Sequence, residues 1–425
     1  MRRLYTLALY LLLPGVVARL LWRSIKSPGY RQRWKERFGL LPHAPAPGGI
    51  WIHAVSVGEV QAVEPLVRYL RERHPSLPLV ITTSTPTGSE RVRLLFGDTV
   101  FHVYCPYDLP VAVRRFLDRV KPRLLIMVET EIWPNLLALC ARQGVPSLLA
   151  NGRLSARSAR GYARLGGFSR RVFAGISAVA AQSRADAQRF IELGVPQQRV
   201  RVSGSIKFDM RIPASVQEQI QVLRRTWGDR PVWVAASTHE GEDEQVLAAH
   251  RMILEEAPSA LLVLVPRHPE RFDKVAALAQ RRGFQVVRRS REQPCGEGTQ
   301  VFLGDTMGEL PVFLGGADVA FIGGSLVRVG GHNMLEAAAQ GVPVLFGPHV
   351  FNFSGIAHLL RDREAGVMVQ DSDALGRQVA AWLQDASERS RIGENGRQVV
   401  EENRGALQRL TALVEVFLPG SEREA

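Results

Sequence analysis

The sequence predicts an α/β chain made of two successive doubly wound, Rossmann-like domains facing a central cleft, preceded by a short hydrophobic membrane anchor. Three observations carry this expectation. Short apolar runs without internal alternation recur along most of the chain, as strands buried on both faces of a parallel sheet require. Amphipathic stretches separate them. A polar, strand-poor segment over 205–230 divides the runs into two series. With 425 residues the chain is long enough for two ordinary domains.

The anchor is expected over 1–22. Residues 4–18 carry no charge. Arg2 and Arg3 precede them, and Arg23, Lys26, Arg31, Arg33, Lys35 and Arg37 follow Trp22. The uncharged run is short beside the roughly 20 residues of a full span, and Pro14-Gly15 is expected to kink it. No clear small-x-small cleavage site follows. The alternative is a buried core helix, but basic flanks and Trp22 suit the cytoplasmic face of an anionic membrane.

The first series, in a domain over 23–209, begins with a strand at 50–56 and a helix at 60–73 whose Val60, Val63, Val67 and Leu70 share one face. Further strands are expected at 77–83, 101–104, 124–128, 147–150, 178–181 and 200–203. The second series, in a domain over 210–425, places strands at 232–236, 261–265, 284–287, 301–303, 319–322, 342–346 and 367–369. The last fifty residues look helical, and those helices are free to pack back on the N-terminal domain.

Lys and Arg outnumber Asp and Glu by 54 to 41, a net charge of +13, which suggests an anionic partner such as membrane lipid or a phosphorylated substrate. No nucleic-acid-binding motif is present, so nucleic acid is not expected. Cys105, Cys140 and Cys295 are odd in number, far apart and without metal-ligand spacing. That argues against a disulfide framework and for a reducing compartment.

The segment 323–336 is the most informative about chemistry. It runs Gly323-Gly324-Ser325-Leu326-Val327-Arg328-Val329-Gly330-Gly331-His332-Asn333-Met334-Leu335-Glu336, between an apolar strand and a helix at 337–339. Glycines there let backbone approach a ligand, and free N–H groups at a helix N-terminus attract phosphate. A carboxylate one turn into the helix suits ribose hydroxyls. The layout predicts a phosphorylated, nucleotide-bearing ligand, although tight turns alone use glycines in the same way.

Glu59, in His53-Ala54-Val55-Ser56-Val57-Gly58-Glu59, falls where the first strand gives way to its helix. Open α/β sheets bind ligands at strand C-termini. Glu59 is placed either to accept a proton from a hydroxyl or simply to favour the helix dipole. Glu129 and Glu131, in Glu129-Thr130-Glu131-Ile132-Trp133-Pro134-Asn135, share that edge: either one caps the next helix and the other positions a partner group, or they are structural. Arg153, Arg157, Arg160, Arg164 and Arg171 would form one basic face on a helix. Such a face is either solvated or a seat for an anionic acceptor or lipid headgroup. Lys207, in Gly204-Ser205-Ile206-Lys207-Phe208-Asp209, sits at the domain junction within reach of the cleft. In the second series Ser237-Thr238-His239-Glu240-Gly241-Glu242, Pro266-Arg267-His268-Pro269-Glu270-Arg271 and Met307-Gly308-Glu309-Leu310 all lie at strand ends or helix starts. Arg267 is the natural phosphate partner among them, although any one of these segments also fits plain loop decoration.

Taken together, these segments resemble the 3-deoxy-D-manno-octulosonic acid (Kdo) transferases, membrane-associated glycosyltransferases that act on lipid A precursors. The resemblance runs from Tyr30-Arg31-Gln32-Arg33-Trp34 to Gly405-Ala406-Leu407-Gln408-Arg409-Leu410. Its most specific pieces are Ser56-Val57-Gly58-Glu59, Thr85-Pro86-Thr87-Gly88-Ser89, the 129–135 segment, Ser237–Glu242, 266–271 and 323–336. It implies a two-domain B-type glycosyltransferase (GT-B) fold, with the acceptor on the N-terminal domain and CMP-Kdo on the C-terminal one. It implies Glu59 as general base, with Glu129 and Lys207 stabilising the transition state. It assigns the CMP contacts to Pro266, Arg267, His268, Met307, Gly308, Glu309, Asn333, Met334, Leu335 and Glu336.

On that basis the expected reaction is an inverting transfer to a lipid A precursor (lipid IVA) at the cytoplasmic face of the inner membrane. It needs no cofactor and no metal-binding Asp-x-Asp motif, because fixed cations meet the leaving phosphate. The arginine face at Arg153, Arg157, Arg160 and Arg164 is offered, from spacing, as the seat of the acceptor's phosphates. The competing readings are another envelope glycosyltransferase of the B type using a UDP- or ADP-sugar, a silent membrane-bound nucleotide sensor, and an epimerase on the same fold. The number of Kdo residues added lies beyond the motifs.

Overall fold

Ile50, Trp51 and Ile52 are all fully buried, and they divide between two cores. Ile50 and Ile52 pack with Val60, Val63 and Leu66 on one side of a sheet. Trp51 packs with Phe116 and Leu149 on the other, its ring 4.5 Å from that of Phe116. Two buried faces explain why these strands are apolar without alternation. In the computed structural model, which describes residues 1–26, 28–210 and 212–418, the pattern recurs in two seven-stranded parallel sheets.

The first sheet comprises β1 (Ile50–His53), β2 (Leu79–Thr83), β3 (Phe101–Tyr104), β4 (Leu124–Val128), β5 (Ser147–Gly152), β6 (Ala178–Ala181) and β7 (Val200–Val202). Its order is β3-β2-β1-β4-β5-β6-β7, so the winding reverses between β1 and β4, with His53 beside Met127. The second comprises β8 (Val232–Thr238), β9 (Leu261–Pro266), β10 (Val286–Arg288), β11 (Val301–Leu303), β12 (Val319–Ile322), β13 (Val344–Phe346) and β14 (Gly366–Met368). Its order is β10-β11-β9-β8-β12-β13-β14, and the reversal falls between β8 and β12. Reversal points in such sheets are where a crevice opens beyond the strand C-termini.

Each sheet belongs to a compact unit. One is Met1–Asp209 with the chain from Arg404 onward, and the other is Met210–Asn403. The return is built by Asp209, which accepts hydrogen bonds from the backbone N–H groups of Gly405 and Leu407 at 2.6 and 2.5 Å and so caps the helix Ala406–Glu415. Ala406, Leu410 and Val414 of that helix are fully buried in the core behind β1. Burying Leu410 or Val414 contributes about 1.5–3 kcal/mol each.

Most of the expected strands form, with trimmed ends. The first stops at His53 rather than Ser56, because Ser56 is the N-cap of the helix Val57–Arg73 and its hydroxyl accepts from the Glu59 N–H. The N-terminal helix runs without a break from Arg2 to Lys26, so Pro14-Gly15 does not end it. At 1.5 Å per residue it is about 37 Å long. By length and composition it is able to cross a membrane. Its Tyr5 ring lies 5.9 Å from that of Phe168, tilted by 38°, while Leu4, Leu7, Leu11, Leu12, Leu21 and Trp22 remain exposed.

Candidate active site

At the β1/β4 reversal the structure gathers three carboxylates. Glu59 enters from the first turn of the helix after β1. One of its oxygens accepts the Val55 N–H at 2.7 Å, and the other accepts the Ser56 hydroxyl at 2.8 Å. Ser56-Val57-Gly58-Glu59 is thus a variant of the capping box, with the carboxylate reaching one residue further back than usual. Burial pushes the Glu59 carboxyl up to about 7, helped by the negative charges of Glu131 and Glu129 and opposed by its hydrogen bonds from Val55 and Ser56. A carboxylate of that basicity is matched to taking a proton near neutral pH.

Glu129 follows β4 with φ +60°, a left-handed backbone unusual for a residue with a side chain. The turn directs its carboxylate to Lys207, 2.9 Å away. Glu131 accepts the Trp133 indole N–H at 2.8 Å and lies 3.7 Å from Nε2 of the fully buried His53. Nδ1 of His53 is 2.9 Å from the Thr82 hydroxyl. Burial opposes charge on His53, yet Cys105 and Glu131 beside it hold its proton above the usual histidine range. Neither Glu129 nor Glu131 caps the helix Pro134–Arg142, contrary to expectation. The cap is Asp108, brought in from the loop before another helix, which accepts from the N–H groups of Asn135 and Leu136 at 3.0 and 2.7 Å.

At the β8/β12 reversal the arrangement differs. Glu242 is fully buried, and its two oxygens accept four backbone N–H groups: His239 at 3.2 Å, Gly324 at 2.6 Å, Ser325 at 3.0 Å and Leu326 at 2.9 Å. Gly323 is required here, because a Cβ would sit 2.7 Å from Glu242 Oε2 and 2.8 Å from the Ser237 carbonyl. The N–H groups of Gly330 and Gly331 both donate to the Gly324 carbonyl, at 3.0 and 2.8 Å. The glycine amides expected to hold a phosphate are therefore used internally: that of Gly324 by the Glu242 carboxylate, and those of Gly323, Gly330 and Gly331 by backbone carbonyls.

What remains for a ligand at this edge is a cation and a cluster of rings. His239 stacks on His332 with ring centres 5.0 Å apart and their Nε2 atoms 2.8 Å apart; His268 stands edge-on to His239 at 5.3 Å. Burial lowers His239 to about 4 and His332 to about 3, and mutual repulsion with Arg267 adds to both. His239 and His332 are neutral at physiological pH, so fixed positive charge here comes from Arg267 and from Arg271, which is paired with Asp243. Glu336 is raised by burial and steadied by the Asn333 amide at 3.0 Å. Met334 and Leu335 are fully buried. Pro266 ends β9, with Arg267 and His268 following it. Met307-Gly308-Glu309 precedes the helix Leu310–Gly315. Met307 is exposed, whereas Glu309 is already bonded to Arg289 at 2.7 Å, which holds its carboxyl below the usual range.

Comparison with known proteins decides the family. Residues 32–210 match the family described as 3-deoxy-D-manno-octulosonic-acid transferase (kdotransferase), and residues 229–399 match glycosyl transferases group 1. A 3-deoxy-D-manno-octulosonic acid transferase from Haemophilus influenzae is 47% identical over 421 residues, 98% of this chain and 99% of the relative. One from Bordetella pertussis is 39% identical over 444 residues, 98% and 99% of the two chains. The chain belongs to the Kdo transferase family. It is a glycosyltransferase. A UDP-GlcNAc 2-epimerase from Neisseria meningitidis bound to UDP-GlcNAc superposes with a TM-score of 0.59 at 10% identity, over 87% of this chain and 100% of that one. That likeness shows the fold alone, two parallel-sheet α/β domains of the GT-B type.

In this family member the arginine series does not form a single helical face. Arg153 precedes the helix Ala156–Ala163, which carries Arg157 and Arg160; Arg164 is its C-cap, and Arg171 lies on the next helix, Gly167–Ala174. The break is at Gly166, whose φ of +55° suits glycine and stops the helix. Arg157, Arg160 and Arg164 are exposed. The chain does contain one Asp-x-Asp, Asp371-Ser372-Asp373. Asp371 caps the helix Ser372–Gln384 by accepting the Ala374 N–H at 2.8 Å. Among the described residues no group of three or more His, Cys, Asp and Glu is disposed to hold a metal ion.

Sequence reasoning quoted His53 and Glu242 only as letters within motifs. The signal for Glu242 was there: a carboxylate just after a strand, in a chain with an unusually glycine-rich loop, is a candidate anion for that loop. His53 had no comparable signal, since a buried histidine in a strand is defined by its neighbours.

Proposed function

We propose that this glycosyltransferase moves Kdo from CMP-Kdo to a hydroxyl of a phosphorylated lipid A precursor, lipid IVA, with inversion and without a metal ion. The first unit holds the acceptor and the second the donor. Glu59 removes the acceptor hydroxyl's proton as that oxygen attacks C2 of Kdo. The bond between C2 and the phosphate oxygen breaks, and CMP leaves with the electron pair. Glu129 and Lys207 stabilise charge at the transition state. Arg267 meets the phosphate, and Glu336 and the backbone around Asn333, Met334 and Leu335 meet the nucleoside. Work is done at the cytoplasmic face of the inner membrane, where the helix Arg2–Lys26 keeps the enzyme beside a lipid acceptor.

The observation that carries this reading is the Glu59 carboxyl, raised to about 7 at the strand-end reversal of a chain with full-length similarity to Kdo transferases. The test is incubation of the purified protein in detergent with CMP-Kdo and lipid IVA, with chelator, beside Glu59→Ala. Mass spectrometry that finds one or more added Kdo units, absent with the variant, supports it and counts the additions. Turnover with a UDP- or ADP-sugar but not with CMP-Kdo overturns the donor.

A further inference from the structure

Away from the catalytic carboxylates, the first unit carries a cavity of about 230 Å³ lined by Arg2, Arg3, Thr6, Arg114, Asn135 and Arg142. Arg2, Arg3 and Thr6 come from the first turns of the N-terminal helix. Arg114 comes from the helix Pro110–Val120, and Asn135 and Arg142 from the helix Pro134–Arg142. Four arginines from three helices thus line one small space. Among the described residues none of the four has a carboxylate within ion-pair distance. The carboxylates nearby are committed elsewhere. Asp108 is buried and accepts from Tyr5, Asn135 and Leu136, and Asp118 accepts from Gln143 at 3.0 Å. Like charges brought together without counter-ions repel, and an arrangement of this kind is stable when an anion sits among them.

The cavity is also fixed in shape. Tyr5 donates to Asp108 at 2.9 Å, Thr6 donates to Asn135 Oδ1 at 3.0 Å, and the Asn135 amide donates to the Asp108 carbonyl at 2.8 Å. These bonds clamp the start of the N-terminal helix to the domain. Directly beside them, Leu4, Leu7 and Leu11 of the same helix are exposed. An anion held here would therefore have a hydrocarbon surface next to it. Free phosphate would leave that surface in water, whereas a lipid covers it.

We propose that this cavity binds the phosphate headgroup of an anionic glycerophospholipid of the bilayer, with the acyl chains along the exposed face of the N-terminal helix. It would set the depth and orientation of the first unit at the membrane. The inference does not depend on the sugar or nucleotide transferred.

The test uses the full chain and vesicles of phosphatidylcholine, alone or with phosphatidylglycerol. Arg114→Gln with Arg142→Gln removes two cationic walls and leaves the apolar helix intact. Each basic group near an anionic surface gives about a fivefold gain in binding, so the pair should lower the preference for phosphatidylglycerol vesicles about thirtyfold, with binding to neutral vesicles unchanged. Both side chains are exposed, and an unchanged melting temperature confirms the fold. Arg281→Gln with Arg282→Gln, the same charge change on the second unit, should keep the preference. Retention of the preference by the first pair, or equal loss by the second, overturns the proposal. So does a rise of similar size in the KM for lipid acceptor in neutral detergent, which would give the cavity to the acceptor instead.

Discussion

Glu59 and Glu242 occupy corresponding places in the two units. Each follows the first strand of its unit at the reversal point, one at the start of a helix and one as a helix N-cap. Their surroundings differ in one respect that decides what each can do. Glu242 receives four backbone N–H groups, and Glu59 receives one, with a serine hydroxyl. Burial raises both carboxyls; at Glu242 four amides pull back against it, while at Glu59 two neighbouring carboxylates push the same way. One carboxylate is a brace that holds a glycine loop. The other keeps spare basicity. Similar topology thus supplies two positions, and the count of donors separates structural from chemical use.

The sharpest way to break this comparison is Glu59→Gln. Loss of a general base should lower kcat about 10²- to 10⁴-fold with little change in the KM for acceptor. The same change should stabilise the fold in mild alkali. Glu59 holds its proton more tightly folded than unfolded, so native stability falls as pH rises from about 4.5 to about 7. Removing that penalty adds up to about 3 kcal/mol at pH 8. A variant that is inactive and less stable across that range would place Glu59 with Glu242 as a brace.

The complementary variant is Glu242→Gln. It turns an amide toward donors that need an acceptor and should cost about 3–5 kcal/mol. Urea unfolding of the second unit and weakened binding of CMP would both report it. A fall in kcat at unchanged urea midpoint would contradict the brace. Next in size, Lys207→Met should lower kcat about a hundredfold by removing a fixed cation, more than it raises either KM. Equal effects on kcat and stability would leave Lys207 as a mere partner for Glu129.

The smallest expected effect sharpens the electrostatic half of the argument. Glu131→Gln takes away a negative neighbour that raises Glu59. The acidic limb of the pH–rate profile, with its midpoint near 7, should therefore move to lower pH, with activity at pH 8 largely kept. A limb that stays in place would assign it to another group.

Much of the architecture was legible in the residues. Ile50-Trp51-Ile52 and Val319-Ala320-Phe321-Ile322 are apolar at every position, and only a strand covered on both sides needs that. Ser56-Val57-Gly58-Glu59 marked a helix start. The order of the strands was not legible, since nothing local says that β4 pairs with β1 rather than with β3. The arginine spacing misled for a related reason: periodicity assumes an unbroken helix, and Gly166 breaks it.

The sequence by itself determined the two series of strand–helix units, the apolar N-terminal helix and the family, because these rest on patterns carried by neighbouring residues. Tertiary structure alone decided which charges meet. The contact of Glu129 with Lys207, the approach of Glu131 to His53 and the hold of Glu242 on Gly324 join residues about 80 positions apart. A carboxylate's basicity is set by such contacts, since desolvation and nearby charge act through space and not along the chain.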